Sequence, residues 1–198
     1  LTDVTGVQTC ALPICEELAN KGLVPDILLN NAGLARGLSK IHEGNLDEWD
    51  EMLDTNVKGL LYVTRAVLPL MVARNYGHVI NIGSLAGHIV YPSGNVYNAT
   101  KFAVTALSQA INLDLAGTKL RATVIDPGMV KTNFSSVRFG GDEARAEAVY
   151  DGLTPLSAKD ISDTILYVLE APDHVNIQSL LIMPTDQRNP YVVHRVKK

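Results

Sequence analysis

Tyr97 and Lys101 stand four residues apart in a stretch of helical periodicity, so their side chains share a face. A free tyrosine, with a pKa of about 10, is a poor proton donor or acceptor at neutral pH. An ammonium about 4 Å away, at an effective dielectric of about 20, would stabilise the phenolate by about 4 kcal/mol, roughly three pKa units. The pair therefore predicts a phenol tuned toward neutrality, where general acid–base groups work best. Alone the spacing is weak, because Tyr-x-x-x-Lys arises on many helices by accident. Ser84 lies thirteen residues upstream of Tyr97, just past an apolar run, where a hydroxyl could hold a carbonyl or alkoxide oxygen beside the phenol. Asn31 and Asn56 add two amides; singly, each reads equally as a loop hydrogen-bonder or a cap.

The elements that must position these residues alternate along the chain. Ile27–Asn30 is a short apolar run ending in Asn-Asn-Ala-Gly, which reads as a buried strand entering a loop. Asn45 is predicted to cap a helix from Leu46, with Asp47 and Glu48 at its positive end. A second helix is expected over 57–75, with Leu60, Thr64, Val67 and Met71 on one face and Gly77 as its stop. His78–Ile82 is the next strand, and 95–115 a helix closing at Gly117. A strand over 121–126 is broken by Pro127-Gly128. The segment 131–158 is polar and irregular with a short helix over 143–150, followed by a helix over 160–170 and a strand over 176–183. Strands separated by helices require parallel crossovers, so the fold class is α/β with an open, doubly wound parallel sheet. Such sheets place ligands beyond the C-terminal ends of their strands, where Asn31, Ser84 and Pro127-Gly128 fall.

Asn30-Asn31-Ala32-Gly33, Asn56, Ser84, Tyr97, Lys101 and Pro127-Gly128, in this order, resemble the short-chain dehydrogenase/reductase family over residues 16–198. The resemblance implies a Rossmann-type sheet and a catalytic set of Asn56, Ser84, Tyr97 and Lys101. Tyr97 would be the general acid–base, Ser84 would orient the substrate oxygen, and Lys101 would lower the Tyr97 pKa and bind the nicotinamide ribose. Asn56 would hold a proton-relaying water. Asn31, with Ala32 and Gly33, would lie along the cofactor and steady the sheet. Pro127, Gly128, Met129, Val130 and Thr132 would close over the nicotinamide and its phosphates. The strings NNAGLARG, DTNVKGL, INIGSLAG, GNVYNATK, VRFGGD and HVNIQSLLIMP are similar to a subgroup of NADP-dependent 3-hydroxy acid dehydrogenases. That subgroup includes serine and allo-threonine dehydrogenases and malonic or 3-hydroxypropionate semialdehyde reductases. It implies NADP, with NAD as second choice, a small-molecule substrate, a cytoplasmic location and a homotetramer. A small polar acid needs a cation for its carboxylate. Arg138, on the loop after Pro127-Gly128, is the candidate, with Arg36 and Lys40 behind it; a solvated loop charge reads nearly as well.

Two features depart from this pattern. The family begins with a strand and a Thr-Gly-x-x-x-Gly-x-Gly turn whose N–H groups hold a pyrophosphate at a helix N-terminus, and this sequence has no such turn. At least one βαβ unit, roughly 30 residues, is expected to be missing before Glu16, taking with it the residue that selects NAD or NADP. The segment 1–15 has neither helical nor strand periodicity, and Val4–Ile14 resembles the in-frame translation of a short-read sequencing adapter. The native chain is therefore expected to resume near Cys15 or Glu16, and the chain as it stands to be inactive. Rival readings are a reductase for a sugar, steroid or 3-oxoacyl thioester, and a non-catalytic binding module.

Composition bounds the remainder. A chain of 198 residues fits one domain, and 46% hydrophobic against 19% charged residues favours a filled core. Seventeen Lys+Arg against 21 Asp+Glu, net −4, leave no basic stripe for nucleic acid. Continuous apolar runs are far shorter than the roughly 20 residues that span a bilayer, so no membrane partner is expected. Two cysteines and five histidines, without HExxH or CxxC, predict no metal site.

Overall fold

The computed structural model describes residues 13, 15–18 and 20–196, so the adapter-like segment falls almost wholly outside the described residues. The strands are β1 (Ile27–Asn30), β2 (His78–Ile82), β3 (Arg121–Pro127), β4 (Val130–Lys131), β5 (Leu156–Ser157) and β6 (Ser179–Ile182). The helices are α1 (Leu46–Leu53), α2 (Leu60–Arg74), α3 (Asn95–Asp114), α4 (Phe134–Arg138), α5 (Glu143–Ala148) and α6 (Ala158–Leu169). One sheet runs in the order β1-β2-β3-β6 with every pair parallel, and β4 and β5 form a separate parallel pair.

Alternation along the strands feeds two cores. Leu28, Val79 and Ala122 are aligned across β1, β2 and β3 and pack against Val67 and Met71 of α2 and Ile111 of α3. Ile80 and Ile125 point the other way and pack on Val168 of α6. The sheet is thus covered on both faces, as the crossovers require. At β1 the cover on the α6 side ends: Ile27 and Leu29 are 46% and 42% exposed. Among the described residues β1 pairs on one side only, an apolar edge of the kind that recruits another strand.

Leu46–Arg74 is one continuous 29-residue helical stretch, long and apolar enough overall to cross a membrane, which the count of unbroken apolar runs did not anticipate. Its buried Met52, Leu60, Val67 and Met71 pack inside this protein's cores. Asn45 Oδ1 accepts the Asp47 N–H at 2.9 Å and caps α1 as expected. The expected start at 57 is replaced by a π-helical turn over Asp54–Gly59, which carries Asn56. The helix stops at Asn75, in left-handed conformation with φ 55, rather than at Gly77. Asparagine tolerates that conformation, and its Oδ1 accepts the Lys119 N–H at 2.9 Å. The segment 131–158 is more ordered than its polarity suggested, holding α4, α5, β4 and β5. Arg138 consequently ends a helix instead of riding a loop.

Buried polar side chains sew the layers together. Asn30 Nδ2 donates to Thr64 Oγ1 at 3.0 Å and to Asn81 Oδ1 at 2.9 Å, and Asn81 Nδ2 donates to Ser108 Oγ at 2.9 Å. The chain links β1, β2, α2 and α3. The sheet-steadying role expected of Asn31 therefore belongs to its neighbour Asn30.

His78 makes a testable case of burial. Thr123 uses its one O–H on Ile177 O at 2.6 Å, so it must accept the Nε2–H of His78 at 2.8 Å. Nδ1 is then the unprotonated nitrogen, buried without a partner. Burial first, then the positive charge of Arg121, pushes the imidazole pKa from 6.5 down to about 4. The folded state prefers the neutral ring, so the stability it contributes is intact above pH 6.5 and is lost as pH falls toward 4. The loss should reach about 3 kcal/mol. Urea midpoints should fall across that window in the wild type and fall less in His78→Gln; an equal fall in both would assign the acid sensitivity to other groups.

Candidate active site

Ser84 is held by backbone and by a buried carboxylate. Its N–H donates to Asp126 Oδ1 at 3.0 Å, and its Oγ accepts the Ala86 N–H at 3.1 Å, capping the turn Leu85–Gly87. Asp126 is completely buried at the end of β3, and His88 Nε2 lies 2.9 Å from its Oδ2. A Cβ at Gly83 would sit 1.9 Å from Asp126 Oδ1, so only glycine lets the carboxylate come this close. Asn98 of α3 donates through Nδ2 to Ala86 O and Ile89 O, at 2.9 and 3.1 Å, locking the helix to the Ser84 loop. Gly87 permits the contact, since a Cβ there would lie 2.7 Å from Lys101 O.

Tyr97 and Lys101, on one face of α3, are both buried. Burial pushes the Tyr97 phenol up to about 12; the Ser84 hydroxyl, by hydrogen bonding, and the Arg138 charge pull it down, while Tyr91 raises it. Burial takes the Lys101 ammonium down to about 8, against the opposing charge of Asp126. Lys101 is not among the groups that shift the phenol in this arrangement. Lys101 Nζ donates to Ile82 O at 2.9 Å and stands 6.0 Å from the Tyr97 ring centre.

Asn56 is a brace. Its Oδ1 accepts the Leu34 N–H at 2.8 Å, and its Nδ2 donates to Leu34 O at 2.8 Å and Thr100 Oγ1 at 3.0 Å. Both amide hydrogens are taken, which argues against the side chain as donor to a relay water. The brace draws the loop after β1 against α3, so that a Cβ at Gly33 would lie 3.4 Å from both Asn56 Oδ1 and Lys101 Nζ. Asn31, Ala32 and Gly33 are exposed there, presenting backbone beside a buried ammonium.

A cavity of about 310 Å³ opens between α3, the Ser84 loop and α4, bordered by Ser84, Tyr97, Pro127, Gly128, Met129 and Val130. Arg138 borders it too, its guanidinium carbon 5.3 Å from the Tyr97 ring centre and 5.7 Å from that of Tyr91. Arg138 Nε donates to Gly37 O at 3.1 Å, and Gly37 N–H donates back to Arg138 O at 3.0 Å. Among the described residues no carboxylate pairs with it. Arg36, by contrast, grips Glu51 through Nε and Nη2, both at 2.6 Å, so it is no substitute. Lys40 is exposed and does not border the cavity. Thr132 is also outside it, its Oγ1 accepting the Phe134 N–H at 3.2 Å at the start of α4. Sequence reasoning missed Asp126 and Gln187, which hold the turns that present Ser84 and Met129. The signal for Asp126 was a carboxylate immediately before Pro-Gly at a strand end; Gln187 had none.

Comparison with known proteins decides the family. The description short chain dehydrogenase matches residues 3–140. The chain belongs to the short chain dehydrogenase family. The family match runs through the adapter-like segment, from one residue before it. NADP-dependent 3-hydroxy acid dehydrogenase YdfG of Escherichia coli (strain K12) is 51% identical over 163 residues, 82% of this chain and 66% of the relative. Sulfoacetaldehyde reductase 2 of Chromohalobacter salexigens is 39% identical over 191 residues, 91% of this chain and 76% of the relative. The closed form of serine dehydrogenase complexed with NADP+ superposes with a TM-score of 0.88 at 46% identity, over 98% of this chain and 79% of that one. The chain spans about two thirds (66%) of the length of the curated 3-hydroxy acid dehydrogenases it matches. In this family member the open backbone of Asn31–Gly33, the Lys101 ammonium and the Pro127–Met129 turn, all at strand C-termini, fit the nicotinamide-ribose half of a dinucleotide.

The ionisation order can be read directly by NMR, with Tyr97→Phe identifying the phenol signal. Lys101→Met should leave the Tyr97 titration in place, whereas Arg138→Gln should move it higher still. A large upward move in Lys101→Met would restore the ammonium as the tuning group.

Proposed function

We propose that the protein is an NADP-dependent oxidoreductase that interconverts a small 3-hydroxy acid and its carbonyl form. One observation carries the reading: Ser84, Tyr97 and the guanidinium of Arg138 border a single cavity, so an acid–base pair and an anion-binding cation share one small space. Bound NADPH would supply the hydride. In reduction, the Ser84 hydroxyl orients the substrate carbonyl oxygen, and the Tyr97 O–H delivers its proton to that oxygen as alkoxide character develops. A phenol at about 12 is fully protonated at neutral pH and so is already in the donating form. Oxidation needs the phenolate, and its rate should therefore climb with pH. Arg138 holds the substrate carboxylate, while Lys101, Asn31, Gly33 and the turn Pro127–Met129 hold the cofactor, with Ala32, Val130 and Thr132 beside them. Asn56 keeps the cofactor loop against α3.

The named relatives support the substrate class. Serine is a 3-hydroxy acid, and sulfoacetaldehyde resembles malonic semialdehyde in carrying an anion on the carbon next to its carbonyl. The assembly into a homotetramer and the cytoplasmic location are part of the same proposal, the former open to sedimentation.

In the full-length protein, Tyr97→Phe should lower NADP-linked turnover of 3-hydroxypropionate or serine by roughly 10²–10⁴-fold while cofactor binding persists. A variant keeping a tenth of the rate would remove Tyr97 from the chemistry. Arg138→Gln should raise KM for these acids roughly tenfold or more, with a smaller change in kcat, because a remote carboxylate is held alike in ground and transition states. Unchanged KM would move the carboxylate site elsewhere.

A further inference from the structure

Gln187 lies five residues past the end of β6 and is 4% exposed. Its N–H donates to Pro184 O at 3.0 Å, and a bridge to Val193, with Arg188 N–H on Val192 O at 2.9 Å, folds the following chain back on it. The side chain reaches across to the turn after β3, where Oε1 accepts the Met129 N–H at 2.9 Å. An N–H can only donate, so the atom facing Met129 is the oxygen, and the NH2 is fixed on the other branch of the amide. A Cβ at Gly128 would lie 2.4 Å from that oxygen, so the approach depends on glycine there.

The NH2 donates to no acceptor among the described residues. Nor is it among their buried polar atoms that make no hydrogen bond, which include His78 Nδ1 and Asn98 Oδ1. It therefore keeps open surface, although the residue as a whole is nearly inaccessible. Gln187 borders the cavity that also holds Ser84, Tyr97 and Arg138. A nearly buried amide with two unused hydrogens, fixed by its own oxygen, is a directional donor awaiting an acceptor.

We propose that Gln187 is a substrate-binding residue, whose side-chain N–H donates to the carboxylate that Arg138 neutralises. This rests on the 3-hydroxy acid reading above. Arg138 supplies charge, and Gln187 supplies direction: its oxygen is locked to the Met129 turn, so the acid is registered against the same backbone that flanks the cofactor ledge.

Gln187→Glu keeps an oxygen for the Met129 N–H but replaces the donor with a group that repels an anion. In the full-length protein it should raise KM for 3-hydroxypropionate roughly tenfold or more, leave KM for NADP+ unchanged, and spare turnover of the uncharged aldehyde propanal. An unchanged KM for the acid, an equal loss with propanal, or a loss falling on NADP+ would each overturn the assignment. A second readout does not need turnover: in ¹⁵N-labelled wild-type protein, malonate should shift the Gln187 side-chain NH2 signal. Silence there overturns the inference even if 3-hydroxypropionate is a substrate. A shift without turnover of any 3-hydroxy acid leaves the donor assigned to a carboxylate and sinks only the oxidoreductase reading.

Discussion

Removing one face of α3 from water is the constraint on which the site depends. Tyr97 and Lys101 lie on that face, and desolvation moves them in opposite senses, the phenol up to about 12 and the ammonium down to about 8. Both shifts favour the neutral form of each group. At neutral pH this leaves a protonated phenol beside a charged amine that is near its own titration. Electrostatic tuning of the phenol comes from the substrate side, through Ser84 and Arg138, and not from the lysine one turn away.

Three glycines around the site permit close approaches that a side chain would block. Gly83 admits the Asp126 carboxylate, Gly87 admits α3 at Lys101 O, and Gly128 admits the Gln187 amide. Gly83 and Gly128 meet groups from a neighbouring strand or the chain beyond it, Gly87 meets the helix above the sheet, and each contact would be closed by a single methyl group. The chemistry thus sits on the most constrained part of the fold, the C-terminal ends of β2 and β3, where fixed groups need little rearrangement during reaction.

Much of this was legible in the sequence because short periods and caps are local. The strand Ile27–Asn30, the Asn45 cap and the run His78–Ile82 were read at the bounds the structure gives. The convergence of Ser84 and Tyr97 followed from their place after a strand and on the next helix. Three things were not legible. A tyrosine–lysine spacing shows that two side chains share a face, but not that the ammonium turns to Ile82 O. The polar run 131–158 hid α4 because a five-residue helix has too few positions to show a period. Gln187 acts through a backbone N–H 58 residues away, and nothing in its surroundings along the chain marks that partner.

Chemistry and specificity are built on different supports. Ser84, Tyr97 and Lys101 are fixed by the sheet and α3, whereas Arg138 is carried on a short helix outside the sheet. Long-range side-chain bonds hold that helix in place. Arg138 and Gly37 exchange hydrogen bonds, and Arg36, clamped to Glu51 of α1, donates to Val137 O at 2.8 Å. Substituting any of these would move the Arg138 guanidinium while leaving the backbone that carries Tyr97 in place. If the proposed acid site is right, a fold arranged this way could change the acid it accepts by altering α4, the 33–40 loop and the tail around Gln187, while the reacting groups stay where the strands put them. On the proposed reading, the likeness to proteins named for a hydroxy acid and for sulfoacetaldehyde fits that separation: in each, the anionic group is on the carbon next to the reacting one, and its holder is what would have to adapt.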